Sequence, residues 1–145
     1  METVNISFDL SSSDYLCNLD LEVCYNNRTM FQVNHVNTLI PVSFPINLSA
    51  DVEHTLQFIM KNKTFEHTIL NANNEIIKDA YLNINNFTIN SVELGDTFYK
   101  TCVYLHDFNG TKDPIEDTFW GDMGCNGTVQ FVFQSPIYLW LVTNM

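Results

Sequence analysis

Alternation of apolar and polar residues runs through most of this chain and restricts its fold more than any other feature. Val4, Ile6, Phe8 and Leu10 alternate with polar neighbours, and so do Leu19, Leu21, Val23 and Tyr25. A period of two puts all the apolar side chains of a segment on one face of a strand, so each run reads as a half-buried β-strand. The second run ends at Asn26-Asn27, which predicts a tight turn and a return strand through Phe31, Val33 and His35. Residues 39–48 carry Ile40, Val42, Phe44, Ile46 and Leu48, but Pro41 and Pro45 each remove a ladder donor, which predicts an edge strand or an extended crossing. His54, Leu56, Phe58 and Met60 face one way, and a turn at Lys61-Asn62 followed by Phe65, His67 and Ile69 predicts a second hairpin closed off by Asn71, Asn73 and Asn74.

Further along, Ala80, Leu82 and Ile84 alternate, and the apolar set resumes at Phe87 and Ile89. That odd step across Asn85-Asn86 predicts a bulge. Residues 97–106 are apolar or aromatic on both faces, as in a strand buried on both sides. Two last strands are expected from Val129 to Phe133 and from Ile137 to Val142, separated by Ser135-Pro136. No window of about 11 to 18 residues has the three-four spacing of an amphipathic helix, which leaves room only for a short helix near 11–16 or 114–120. The expected fold is therefore all-β: one antiparallel β-sandwich domain over residues 1–145, jelly-roll or Ig-like, with about eight to ten short strands.

Charge and glycine placement narrow the function. The 17 acidic residues against six basic ones give a net charge of −11, with a single arginine, Arg28. Such a chain has nothing with which to neutralise phosphates or hold an anionic lipid surface, so neither nucleic acid nor a membrane is an expected partner. All five glycines lie at or beyond Gly95, so the turns before it fall to Asn, Asp, Ser and Pro, and 18 asparagines are available. No closely spaced glycine loop exists to cradle a nucleotide. His35, His54, His67 and His106 are scattered through strand-like segments with no nucleophile elbow and no paired metal-binding spacing. No constellation meets the geometry of an enzyme, and no cofactor is expected.

The compartment reads two ways. Met1-Glu2 opens directly into a strand pattern without the basic, then apolar, start of a secretory leader, which reads as a cytosolic start. Seven Asn-x-Ser/Thr sequons, at Asn5, Asn27, Asn47, Asn62, Asn86, Asn109 and Asn126, point instead to a glycosylated extracellular domain. Cys17, Cys24, Cys102 and Cys125 are an even number but too sparse for a disulfide scaffold and contain no Cys-x-x-Cys pair, so reduced thiols are expected.

The segment from Asp107 to Gly127 holds four of the five glycines, five of the acids and one lysine, Lys112. Read as one long loop, it is the place to look for a site. Asp107, Phe108, Asn109, Asp113, Asp117, Phe119, Trp120 and Asp122 are the candidate contact residues. A sugar face stacks on an aromatic ring while carboxylates accept its hydroxyl hydrogens, and the same composition suits a protein-docking loop. Against that, Phe119 and Trp120 suit pinning the loop to the core. Asp113, Glu116, Asp117 and Asp122 have the chemistry of calcium ligands but not the alternate spacing of a calcium loop, so no metal is expected.

The order Ile76-Ile77-Lys78-Asp79, then Ile89-Asn90-Ser91-Val92-Glu93-Leu94, Tyr104-Leu105-His106-Asp107-Phe108-Asn109-Gly110, Met123-Gly124-Cys125-Asn126-Gly127 and Pro136-Ile137-Tyr138-Leu139-Trp140-Leu141 resembles small acidic β-rich structural proteins of large tailed bacteriophages. That resemblance implies a non-enzymatic virion module, a tail, fibre-attachment or capsid-decoration protein. Its partners would be other virion proteins or itself, with a host surface glycan as a further one, and it would assemble in the host cytoplasm. A carbohydrate-binding β-sandwich module and a secreted, glycosylated Ig-like ectodomain are the alternatives.

Overall fold

The computed structural model describes residues 2–13, 18–49 and 52–145. Two antiparallel sheets face each other. One has the order β12-β8-β1-β4, built from β1 (Glu2–Ser12), β4 (Ile40–Leu48), β8 (Leu82–Ile89) and β12 (Asp122–Met123), with the short β9 (Val92–Glu93) also on β8. The other runs β11-β10-β13-β5-β2-β3, built from β2 (Asp20–Tyr25), β3 (Arg28–Val33), β5 (Glu53–Lys61), β10 (Val103–His106), β11 (Ile115–Thr118) and β13 (Gly127–Gln134). The chain is an all-β sandwich, as the alternation predicts.

The inward faces are the apolar sets read from the sequence. Val4, Ile6, Phe8 and Leu10 of β1 and Val42, Phe44, Ile46 and Leu48 of β4 are buried against Leu56, Phe58, Met60, Val129, Phe131 and Phe133 of the opposite sheet. Phe58, Phe87, Phe98 and Phe131 meet at the centre, with Phe87 and Phe98 stacked at 4.1 Å. Such aromatic pairs add roughly 0.5–1.5 kcal/mol each beyond the area they bury. Among the described residues strand β4 lies at a sheet edge and pairs only with β1, so Pro41 and Pro45 interrupt no inner ladder. Asparagines make the turns, as the missing glycines require. Among the described residues, seven of the ten non-glycine positions with positive φ are Asn26, Asn27, Asn62, Asn74, Asn86, Asn90 and Asn109. The expected bulge falls at Asn85-Asn86: Ser7 pairs with Thr88 but Asp9 with Asn85, one residue more on β8.

Four expectations are corrected. Residues 97–106 do not form one strand: Asp96–Thr101 is helix α1 and only Val103–His106 is extended. Leu94, Phe98 and Cys102, all buried, recur every fourth residue, a helical spacing. The stretch from Ile137 to Val142 is likewise helical, part of α2 (Ile137–Asn144), which buries Ile137, Trp140 and Leu141 at the three-four spacing of a helix face. The hairpin expected across Lys61-Asn62 does not form, because β5 lies between β2 and β13 and has no room for a local partner. Residues 65–67 make a single 3-10 turn leading to a small hairpin, β6 (Ile69–Leu70) with β7 (Ile76–Lys78), so His67 does not face His54. Lastly, 107–127 is not a structureless loop, since β11 and β12 both lie within it, and the helix entertained for 114–120 is occupied by β11. In the other short helix considered, Ser11 and Ser12 belong to β1, and residues 14–16 lie outside the described residues, as does Cys17.

Cys24, Cys102 and Cys125 are free thiols. At one end of the sandwich the buried Lys63 side chain pairs with Asp79 at 2.7 Å and donates to the Gly124 carbonyl. Asn126 completes this knot, accepting from the Lys63 N–H at 2.8 Å and donating to its carbonyl at 2.8 Å. No helix among the described residues is long and apolar enough to cross a membrane.

Candidate functional site

The candidate residues fall into two groups at opposite ends of the β10–β11 hairpin. Asp107, Phe108, Asn109 and Asp113 belong to the turn between the two strands. Asp107 Oδ1 accepts the Gly110 N–H at 2.8 Å and Asn109 Oδ1 accepts the Asn126 N–H at 2.8 Å. Phe108 sits at φ 54 with its ring 4.6 Å from that of His106 and under the Lys112 ammonium, also at 4.6 Å. The Asp107, Phe108 and Asn109 side chains are spent on holding this end of the hairpin together, and Asp113 is exposed. Asp117, on β11, is 3.1 Å from His106 Nε2 and caps the Thr118 N–H.

Phe119, Trp120 and Asp122 lie at the other end, a strand's length away or roughly 13 Å at 3.3 Å per residue. Here the chain crosses from β11 in one sheet to β12 in the other. Phe119 is fully buried, its ring 5.7 Å from Tyr99, 6.2 Å from Phe98 and 6.1 Å from Tyr104. It therefore pins the crossover, and Trp120 does not, being 77% exposed. After Trp120 the Gly121 carbonyl accepts the Ile84 N–H at 2.9 Å, and Asp122 accepts from Asn83 Nδ2 at 2.8 Å. Gly121 has φ 108, and a Cβ there would meet the Tyr99 ring at 3.4 Å, so the backbone lies directly against that ring. The tryptophan is presented on a segment held on both sides.

The Tyr99 ring also walls a cleft that sequence reasoning did not name. Between the β8 bulge and α1, Asn85, Asn86, Glu93, Asp96 and Tyr99 surround a space of about 210 Å³ floored by Phe87 and Phe98. Gly95, at φ 54, lets the chain turn from β9 into α1 there. Tyr99 donates to the Ile84 carbonyl at 3.0 Å. Burial, with help from Asp122 and Asp96, pushes its phenol pKa up, so it remains a donor. Asn86 Nδ2 is held by Asp9 at 2.8 Å and the Asn86 N–H by Asn85 Oδ1 at 2.9 Å. The cleft thus offers amide and carboxylate groups on an aromatic floor, with no basic side chain lining it. The one hint of it in the sequence was the broken alternation at Asn85-Asn86.

No protein-family model and no curated protein matches the chain. Among solved structures its fold is similar to that of vCBM60, a carbohydrate-binding module from one of two calcium-dependent families related by circular permutation, with a TM-score of 0.52 over 88% of this chain and 89% of that one. At 9% identity the likeness is one of fold. Among the described residues no three His, Cys, Asp or Glu side chains converge to hold a metal. The acids of 107–122 are dispersed, with Asp107 on Gly110, Asp117 on His106 and Asp122 on Asn83. This set does not fit a calcium ion.

Proposed function

We propose that the chain is a non-catalytic module that binds uncharged glycans through Trp120 and the adjoining Tyr99 cleft. The observation that carries this reading is Trp120 itself: a large aromatic ring left 77% exposed on a crossover anchored by Phe119 before it and by Gly121 and Asp122 after it. A sugar's apolar face stacks on such a ring, and a fixed backbone lowers the entropy lost on binding. Asn85, Glu93, Asp96 and Tyr99 supply acceptors and donors for hydroxyls beside it. The net charge of −11 disfavours sulfated, uronic or sialylated sugars. The fold likeness to a carbohydrate-binding module supports the same reading.

The test is titration with neutral oligosaccharides, read by tryptophan fluorescence. The two tryptophans are distinguishable, since Trp140 packs against Phe131 and Phe133 and is 9% exposed whereas Trp120 is 77% exposed. Saturable quenching that Trp120→Ala abolishes supports the proposal, and a flat response across glucose, xylose, mannose and galactose polymers overturns it.

A second reading, as an assembly module docked on copies of itself or on a virion, draws on exposed aliphatics. Ile69, Leu70, Ile76 and Ile77 of the β6–β7 hairpin and Tyr138, Leu139 and Val142 of α2 are all exposed. Light scattering decides it: a monomer up to millimolar concentration removes the self-assembly form.

A further inference from the structure

A second polar groove lies on the outer face of the six-stranded sheet, away from Trp120. The Asn26-Asn27 turn folds over β5: the Asn26 N–H donates to the Thr55 carbonyl at 3.0 Å, and Asn26 Oδ1 accepts the Thr55 N–H at 3.0 Å. The turn becomes one wall, Thr55, Gln57 and Gln130 the floor and Glu53 the rim of a groove of about 380 Å³. Gln57 of β5 and Gln130 of β13 are direct cross-strand partners, so their Cβ atoms stand roughly 5 Å apart. Both side chains are half-buried, yet neither amide makes a hydrogen bond among the described residues, and the Thr55 hydroxyl and Asn27 amide make none either. Partly desolvated amides left without protein partners gain most from a ligand that offers both donors and acceptors.

We infer that this groove is a second site for a neutral glycan chain, which makes the module bivalent. The inference rests on the glycan-binding reading proposed for the Trp120 site but uses none of its residues. A hydroxyl-rich chain matches paired amides that each carry one acceptor and two donors, and among the described residues Glu53 is the only charged group lining the groove. A peptide strand is disfavoured, because it pairs with a sheet's edge and β5 and β13 are both interior strands. With no aromatic platform, this site binds more weakly than the first, and its value lies in raising retention on a polymer that reaches both.

The experiment is an NMR titration of the full chain with soluble hexasaccharides of glucose, xylose, mannose and galactose. It follows the Gln57 and Gln130 side-chain amides and the Trp120 indole separately. The expected result is a second, weaker saturating shift of both glutamine amides that persists in Trp120→Ala and vanishes in Gln57→Ala/Gln130→Ala. The double variant also loses at least tenfold in retention on the insoluble polymer of the same sugar, with an unchanged unfolding midpoint as the folding control. Movement of the Trp120 indole alone overturns the second site while leaving the proposed function standing. Silence of both probes for every sugar overturns both.

Discussion

Phe119 and Trp120 are adjacent, yet the fold assigns them opposite duties, and exchanging each for alanine separates the two. Phe119 is 0% exposed and touches three aromatic rings at 5.7 to 6.2 Å. Phe-to-Ala changes in cores cost about 3–5 kcal/mol, and three ring contacts place this one near 4. Domains of this kind are stable by about 5–15 kcal/mol, so Phe119→Ala stays folded with a much reduced margin. With a urea slope of about 2 kcal/mol/M, its unfolding midpoint falls by about 2 M. Trp120→Ala removes a ring with little buried area and changes stability by less than about 0.5 kcal/mol. The assay is urea denaturation followed by far-UV circular dichroism, which needs no tryptophan signal. Equal destabilisation by the two substitutions, or an unshifted Phe119→Ala, would refute the claim that Phe119 holds the crossover while Trp120 is free to bind.

Three further outcomes follow from buried polar groups. Lys63→Met takes the cation from Asp79, which keeps the Thr68 hydroxyl and the Ala80 N–H, and unties Gly124; because Asp79 is also 37% exposed, the expected loss is about 2–3 kcal/mol rather than the full cost of a wholly buried broken pair, measured in the same urea assay. His54, buried between Tyr25 at 2.8 Å and Ser135 at 3.0 Å, has its pKa pushed below the usual 6.5 by desolvation. The unfolded chain therefore takes up a proton first, stability declines as pH falls below about 6.5, and His54→Gln removes that part of the slope in a pH series of unfolding curves. Burial also raises the Cys102 and Cys125 thiols, and Cys102 is the more enclosed, so timed alkylation with mass spectrometry labels Cys125 first and Cys102 only on unfolding.

Much of the sandwich was legible because its strands are long and one-sided. Val4 to Leu10 and His54 to Met60 declare their inward faces outright, Pro41 and Pro45 mark an edge, and the slip at Asn85-Asn86 marks a bulge. The helices escaped notice because they are six and eight residues long, shorter than any window in which a period of 3.6 stands out from a run of aromatics. Phe98-Tyr99 and Tyr138-Leu139-Trp140 are apolar whichever period is assumed. The partner of β5 was misassigned for a different reason: its ladder joins Met60 to Gly127, a pairing that no local turn announces. The site divides the same way. Trp120 was visible, beside Phe119, as one of the few aromatics among acids, whereas Tyr99, Glu93 and Asp96 become neighbours of Asn85 only when α1 packs beside the bulge.

The left-handed asparagines also bear on how this chain can change. Glycine would occupy those left-handed turns free of the Cβ clash, though it loses more chain entropy on folding. Here several of the asparagines are also tethers: Asn26 holds Thr55 on the next strand, Asn62 reaches Asp20, Asn86 reaches Asp9 and Asn109 reaches Asn126. An Asn→Gly exchange at any of these relaxes the turn and cuts the tie in one step. Turn geometry and cross-chain attachment have become a single trait, and a lineage of this protein is expected to drift at its strand surfaces sooner than at its bends.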